Sequence, residues 1–242
     1  MKKKVVIFTG AGISKESGVD TFRDLVDGLW ENHKIEEVCT LDGWRKDREK
    51  VLNFYNDRRR QMPSVEPNNA HKALARLEED FDVTIVTQNV DDLHERGGST
   101  NIIHLHGELT KARSSYLTGN LLKVKLDSID IGYSDINIGD KCEKYGAQLR
   151  PHIVWFGEYP FDVNKAYDAF LTADIVIIVG TSLQIGYTLS FFDNLPKGFN
   201  VIYVDPNPSH DLDTLDLNIE YVEKSAVEGV TEIVERIINE QN

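Results

Sequence analysis

Short β-branched runs recur along the chain: Val5–Phe8, Val83–Val86, Ile102–Leu105, Ile153–Trp155, Ile175–Val179 and Val201–Val204. Most are apolar on both faces, which predicts strands covered by helices on both sides rather than strands with a wet face. Between them the apolar spacing changes to three and four. Residues Asn68–Glu79 open on a candidate Asn cap and carry Ala70, Leu74 and Leu77 on one face. Val90–Arg96 stops at Gly97-Gly98, and Val227–Ile238 aligns Val230, Ile233, Val234 and Ile237. Strand and helix in alternation predict the α/β class, with a Rossmann-like parallel sheet and helices on both faces.

Two stretches break the alternation. Residues 27–70 are helix-rich and charged, with Leu52, Phe54, Tyr55 and the run Arg58-Arg59-Arg60-Gln61. Residues 107–150 hold short alternating pieces such as Leu122–Leu126 and Ile129–Ile131. The pattern predicts a Rossmann-like domain from 1–26, 71–106 and 151–242, and a small domain built from the insertions 27–70 and 107–150. A cleft between the two is where a ligand is expected.

Composition narrows the classes. The 242 residues carry 40 acidic and 27 basic side chains, a formal net charge of −13. That charge opposes a nucleic-acid partner. It attracts basic protein segments only weakly and first of all keeps the protein soluble. No apolar stretch approaches the ~20 residues that span a bilayer, so no membrane partner is expected. The apolar run after Met1-Lys2-Lys3-Lys4 ends at a glycine too soon for a secretion signal. Cys39 and Cys142 are the only cysteines and form no disulfide framework, so a cytoplasmic setting is expected.

Candidate chemistry gathers just past the strand ends. The first strand runs into Gly10-Ala11-Gly12, where glycines let backbone N–H groups approach an anion. The third glycine of a dinucleotide fingerprint would fall at Lys15, and Gly28–Lys34 does not read as the second strand of an ordinary dehydrogenase. A tight strand-to-helix turn is the competing reading of the glycines. Gln88–His94, His106-Gly107-Glu108 and Gly180-Thr181-Ser182 follow other strands and suit ribose hydroxyls, a carboxamide and phosphates. His104 and His106, two apart on a strand, share a face. They lack an evident third ligand, so His104 reads as a hydrogen-bonded core histidine. His71, His94 and His152 read as structural, His33 and His210 as surface, and His106 as either a base or a structural residue.

Several runs taken together are more specific: Gly10–Ser14, Glu16–Gly18, Thr21-Phe22-Arg23, Thr87–Asp91, Leu93-His94, His104–Gly107, Leu149–Pro151, Trp155–Glu158 and Gly180–Ser182. In this order and over nearly the whole chain they resemble the sirtuins, NAD-dependent protein-lysine deacylases. The resemblance implies NAD contacts at Gly10, Ala11, Gly12, Ile13, Ser14, Glu16, Phe22, Arg23, Gln88, Asn89, Val90, Asp91, Gly180, Thr181 and Ser182. The adenosine end is left open: Asp205 and Asn207 follow the last strand as alternative partners of the adenine ribose, with Ala226 a weaker candidate near the adenine. The resemblance implies His106 as general base and Asn89 as the residue ordering water and ribose. The products implied are free lysine, nicotinamide and an O-acyl-ADP-ribose.

Substrate contacts follow in the same way. Val154, Phe156 and Gly157 would pair with the peptide backbone by strand addition. Tyr55 and Arg58, at helical i and i+3, resemble the pair with which one sirtuin class receives succinyl and malonyl groups. Arg58 would form a forked, charge-assisted pair with the acyl carboxylate, and Tyr55 would add a hydroxyl. In one respect the chain departs from the family. Sirtuins usually hold a structural zinc with two cysteine pairs, whereas here Ser114 and Tyr145 stand where cysteines are expected beside Cys142. No zinc is therefore expected, and burial of strands at Leu121–Leu126 and Ile129–Ile138 is expected to take its place. The competing classes are an ADP-ribosyltransferase or NAD glycohydrolase, and a non-catalytic NAD or ADP-ribose sensor. The sequence leaves the oligomeric state open.

Overall fold

The computed structural model describes residues 2–19, 34–116 and 127–241. Strands β1 (Lys4–Thr9), β2 (Asp82–Thr87), β3 (Ile102–His104), β7 (Ile175–Val179), β8 (Phe199–Val204) and β9 (Leu217–Val222) form one sheet in the order β3-β2-β1-β7-β8-β9. Every pair in it is parallel. The strand order reverses between β1 and β7, which places a crevice at the carboxyl ends of those two strands.

Successive side chains leave opposite faces and build two cores. Val5, Ile7, Val83, Ile85, Ile177 and Val179 pack beneath helices α5 (Asn69–Arg76) and α8 (Ala226–Gln241). Val6, Phe8, Val86, Val176 and Ile178 point the other way, toward α7 (Val163–Leu171). There Phe8 meets Phe170 and Phe192 edge-on at 6.0 Å. Among the described residues no helix is long and apolar enough to cross a membrane.

A third core unites the insertions. Helices α2 (Ile35–Val38), α3 (Leu41–Lys46) and α4 (Arg48–Gln61) contribute Val38, Trp44, Val51, Leu52, Phe54 and Tyr55. These pack with Leu109 and Ala112 of β4 (Gly107–Ser114), with Ile136, and with Ile153 and Trp155. A second sheet, in the order β5-β4-β6, joins β4 to β5 (Ser128–Asp130) and β6 (Leu149–Ile153) by antiparallel pairing. Polar anchors tie the helices to this layer. Asn56 accepts from the Ile136 N–H and donates to the Ile136 carbonyl, both at 3.0 Å. Arg59, with no exposed surface, donates to the Leu109 carbonyl at 2.7 Å and to Asn56 at 2.6 Å.

Several expectations need correcting. The strand expected at Ile153–Trp155 is the end of β6, which pairs with β4 and lies outside the parallel sheet. Trp155 leaves the strand because its indole enters the third core. The helix expected from Val90 begins only at Leu93, since the Asp91 carboxylate accepts from the Leu93 N–H and holds Gln88–Asp92 as a loop. β9 escaped the apolar-run pattern because it is an edge strand with polar alternation, Leu217, Ile219 and Tyr221 inward against Asn218 and Glu220. The strand proposed over Ile129–Ile138 shrinks to β5, and Ile129 and Ile138 are 41% and 57% exposed. Of that segment only Ile136 is fully inserted, so its share in replacing a metal by burial is small. Leu121–Leu126 and His33 lie outside the described residues.

Candidate active site

The loops after β1 and β7 interlock. A Cβ on Gly10 would come within 2.7 Å of the Thr181 Cβ, and one on Gly12 within 2.6 Å of the Gly180 Cα. Gly180 has φ +61, and a Cβ there would meet the Ile13 N at 2.4 Å. The glycines are thus required by backbone-on-backbone contact. This revises the reason expected for them. The Gly10 N–H donates to the Val179 carbonyl at 3.0 Å and the Gly12 N–H to the Gly180 carbonyl at 2.8 Å, so neither points at an anion. The glycines bring the two loops together at the crevice, while Ala11 and Ser182 remain partly exposed there.

Beside them runs a buried polar network. The Asn89 amide donates to Ser14 Oγ at 3.1 Å, and Ser14 donates to an Asp91 oxygen at 3.0 Å. The second Asp91 oxygen accepts the Leu93 N–H. Burial pushes the Asp91 carboxyl up to about 6, against the hydrogen bonds that favour its charge. Each carboxylate oxygen keeps a second lone pair, so the group can accept from an amide such as a carboxamide. Ile13 is buried beneath this network, and its carbonyl accepts from Asn68 at 2.8 Å. Val90 is partly exposed, and its carbonyl accepts the Leu109 N–H.

His106 lies just past β3, in a turn rather than on the strand face with His104. Its Nδ1 sits 2.9 Å from the Gln88 carbonyl oxygen and its Nε2 2.6 Å from the Tyr187 hydroxyl. Burial pulls the imidazole down to about 4, so it is neutral at physiological pH. Thr181 Oγ1 donates to Gln88 Oε1 at 2.8 Å, which links the β7 loop to the β2 loop. His104 pairs with Glu95 at 2.7 Å, as a hydrogen-bonded rather than ligating residue. Glu108 completes a possible donor trio with them, but Lys111 already holds Glu108 at 2.7 Å. His71, His94 and His152 are buried, and His210 is exposed on Asp213.

Other candidates are placed differently from one another. Glu16 turns to the start of α8, accepting from Ser225 at 3.2 Å and from the Val227 N–H at 2.9 Å. Its carboxylate is committed there rather than at the glycine loop, because a helix N-terminus attracts an anion. Asp205 is buried past β8 and accepts the N–H of exposed Asn207 at 2.8 Å, and Ala226 is the buried first residue of α8. Phe22 and Arg23 lie outside the described residues.

At the acyl end, Tyr55 is buried. Its hydroxyl accepts from Trp155 Nε1 at 3.0 Å and bonds Cys39 Sγ at 3.3 Å. The hydroxyl is thus engaged inside the protein rather than offered to a ligand, and burial pushes the Cys39 thiol up to about 11. Arg58 folds back over the Phe54 ring at 3.4 Å and donates to the Phe54 carbonyl, and its charge acts on Cys39 beside Tyr55. Phe156 and Gly157 are exposed, while the Val154 N–H bonds the His106 carbonyl and the Phe156 N–H bonds the Cys39 carbonyl. Two donors on that segment are thus already used within the chain.

A buried ion triad supports this wall. Glu158 accepts from Arg150 at 2.8 Å, from Arg113 at 2.9 Å and from the Trp155 N–H at 2.9 Å. Arg150 also stacks over Trp155 at 3.3 Å. Glu158 and Arg150 fall within the quoted runs, yet nothing in the spacing signals the triad, because Arg113 comes from another strand. Tyr187 was missed too, since no local pattern marks a tyrosine that folds back on an imidazole.

The residues near Ser114 do not fit a thiolate metal site. With two cysteines in the chain, and Cys39 in the helical core, only Cys142 remains. Tyr116 stacks on Tyr145 at 5.4 Å and 13°, a contact between the segments that the missing ligands would have joined.

Comparison with known proteins follows the same geometry. The model of the Sir2 family matches residues 10–186. A Helicobacter pylori protein named NAD-dependent protein deacylase is 45% identical over 236 residues, covering 98% of each chain. One of the same name from Bacteroides thetaiotaomicron is 44% identical over 237 residues, again covering 98% of each. Among solved structures, a Sir2 homologue in complex with NAD superposes with a TM-score of 0.83 at 34% identity, covering 100% of this chain and 91% of that one. A mutant Sir2 homologue bound to ADP-ribose gives 0.84 at 35% identity, covering 99% and 93%.

Proposed function

The chain belongs to the Sir2 family, and from that premise we propose that it is an NAD-dependent protein-lysine deacylase. One observation carries the reading at the level of chemistry. A neutral histidine, its Nδ1 proton directed to the Gln88 carbonyl, stands beside the buried Ser14–Asn89–Asp91 network at the switch point of the sheet. A base needs one ring nitrogen fixed and a lone pair on the other: Gln88 fixes Nδ1, and the remaining lone pair, on Nε2, faces the Tyr187 hydroxyl at 2.6 Å.

The residues present fit NAD. Ala11, Thr181 and Ser182, at the contact of the two glycine loops, would hold the pyrophosphate. Gln88 and Asn89 would hold the nicotinamide-side ribose, Asp91 the carboxamide, and Asp205 with Asn207 the adenosine end. When bound, NAD supplies an electrophilic ribose carbon and nicotinamide as leaving group. His106 takes the proton released from the ribose hydroxyls at Nε2, and the Gln88 carbonyl steadies the imidazolium by accepting from Nδ1. The Asn89 amide, oriented by Ser14, positions water and ribose. We assign residues 27–70 and 107–150 to one substrate-side domain, a division that their common core supports.

The protein substrate carries an acyl-lysine, with its backbone along Val154, Phe156 and Gly157. Acetyl and the acidic succinyl and malonyl groups are the acyl classes proposed. Arg58 would supply the charge for the acidic ones, while Tyr55 forms the buried wall behind it rather than a second donor. One lysine peptide in acetyl, succinyl and unmodified forms, incubated with NAD and followed by mass spectrometry, tests the reading. NAD-dependent loss of succinyl that needs both His106 and Arg58, probed by His106→Ala and Arg58→Met, is the expected result. Loss of acetyl alone, indifferent to Arg58, removes the acyl assignment. Nicotinamide release with no peptide deacylated moves the protein to ADP-ribosyl transfer or NAD hydrolysis.

A further inference from the structure

Lone pairs around His106 can be counted. The Gln88 carbonyl can only accept, so Nδ1, 2.9 Å away, carries the ring proton. A neutral imidazole then has one lone pair left, on Nε2. The Tyr187 hydroxyl, 2.6 Å from that atom, must be the donor and fills it. A sugar hydroxyl delivering its proton to His106 needs the same lone pair. The two contacts exclude each other.

The loop that carries Tyr187 is built to hold it there. Leu183, almost fully buried, sits in the left-handed region at φ 55. A leucine rarely adopts that conformation unless its surroundings impose it. Thr181 Oγ1 accepts the Leu183 N–H at 3.2 Å, and Thr188 Oγ1 donates to the Leu183 and Ile185 carbonyls at 3.2 and 2.7 Å. The Tyr187 ring rests edge-on against Phe191, with centroids 6.1 Å apart. Burial raises the phenol's proton affinity and lowers the imidazole's, so the proton stays on oxygen. Gly186, just before Tyr187, has open space on its side-chain face.

We infer that Tyr187 is a displaceable cap on the catalytic base: the nicotinamide-side ribose engages His106 only by pushing the Tyr187 hydroxyl off Nε2. In the unliganded protein the cap satisfies a lone pair that would otherwise be buried without a partner. Cofactor binding exchanges that hydrogen bond for the productive one, so part of the binding energy is used to uncover the base. This inference rests on the reading of His106 as the base facing that ribose.

Calorimetric titration of the wild type and Tyr187→Phe with ADP-ribose and with ADP tests it. ADP reaches the same site but lacks the second ribose. Removing the hydroxyl alone is expected to tighten ADP-ribose by about 2- to 10-fold, the span of one net hydrogen bond, and to leave ADP unchanged. Unchanged ADP binding also shows that the variant is folded. Equal shifts for the two ligands, no shift for either, or weaker ADP-ribose binding overturns the cap. No turnover enters this test, so it separates from the assignment of the base. Deacylation surviving in His106→Ala would remove that assignment while the affinity pattern still reports on Tyr187.

Discussion

Asp91 and His106, in loops that follow neighbouring strands, have proton affinities moved in opposite directions by the same cause. Burial penalises the carboxylate, raising Asp91 to about 6, and penalises the imidazolium, lowering His106 to about 4. Both must be unprotonated for the proposed roles. The acid limb of kcat/KM, which reports the free enzyme, is therefore expected to fall from about 6 with unit slope and to steepen below about 4. A single step near 6.5, the ordinary histidine value, contradicts a buried neutral base. Residues of this kind were legible only through ordered runs: His106 alone could be structural, and its neighbours decided between the readings. Glu16 shows the limit of such reading, because the nearest partner of its carboxylate is a helix start more than two hundred positions away in sequence. Gly10 and Gly12 were recognised as sites of close approach, but the partner they approach is the Gly180 loop.

Elements were legible where burial is two-sided and obscure where it is not. β1, β2, β7 and β8 coincide with apolar runs because helices cover both of their faces. β9, at the sheet edge, alternates and was overlooked, and β6 was displaced because its residues Leu149-Arg150-Pro151-His152 carry charge into a buried place. That charge has a partner invisible to local pattern. Glu158 pairs with both Arg150 and Arg113 and accepts the Trp155 N–H, holding the turn that presents Phe156. Breaking a buried ion network leaves charges without compensation, which costs about 3–5 kcal/mol. Glu158→Gln is therefore expected to lose that much in urea unfolding. A loss under about 1 kcal/mol would show the triad to be replaceable and would remove it as the support of the wall.

At the scale of the whole molecule, buried histidines set the response to acid. Burial lowers His71 to about 4 and His152 to about 3, the latter helped by Arg113, and holds His94 well below its ordinary value. The unfolded chain takes up protons at these positions near 6.5, the folded one only at lower pH. Their contribution to stability is complete above 6.5 and is lost as pH falls toward the folded values. Two groups act the other way. Asp91 binds its proton earlier in the folded state, and His104, despite burial, is raised by Glu95. With His106 added, four depressed histidines outweigh these two. The thermal midpoint is expected to fall steadily from pH 6.5 to 4, and a flat or rising midpoint over that window contradicts the balance.

The amide of Asn56 bonds both backbone groups of Ile136, eighty residues later, as a neighbouring strand would. Between those two positions the chain completes α5, β2, β3, β4 and β5. During synthesis, helix α4 therefore emerges with an amide and the buried Arg59 already committed to partners not yet made. Loop closure over such a separation is slow compared with helix formation. The helical insertion must wait, its apolar face open, until the β4–β6 layer arrives. That interval is the stage of this protein's folding at which a chaperone has most to hold and aggregation most to exploit.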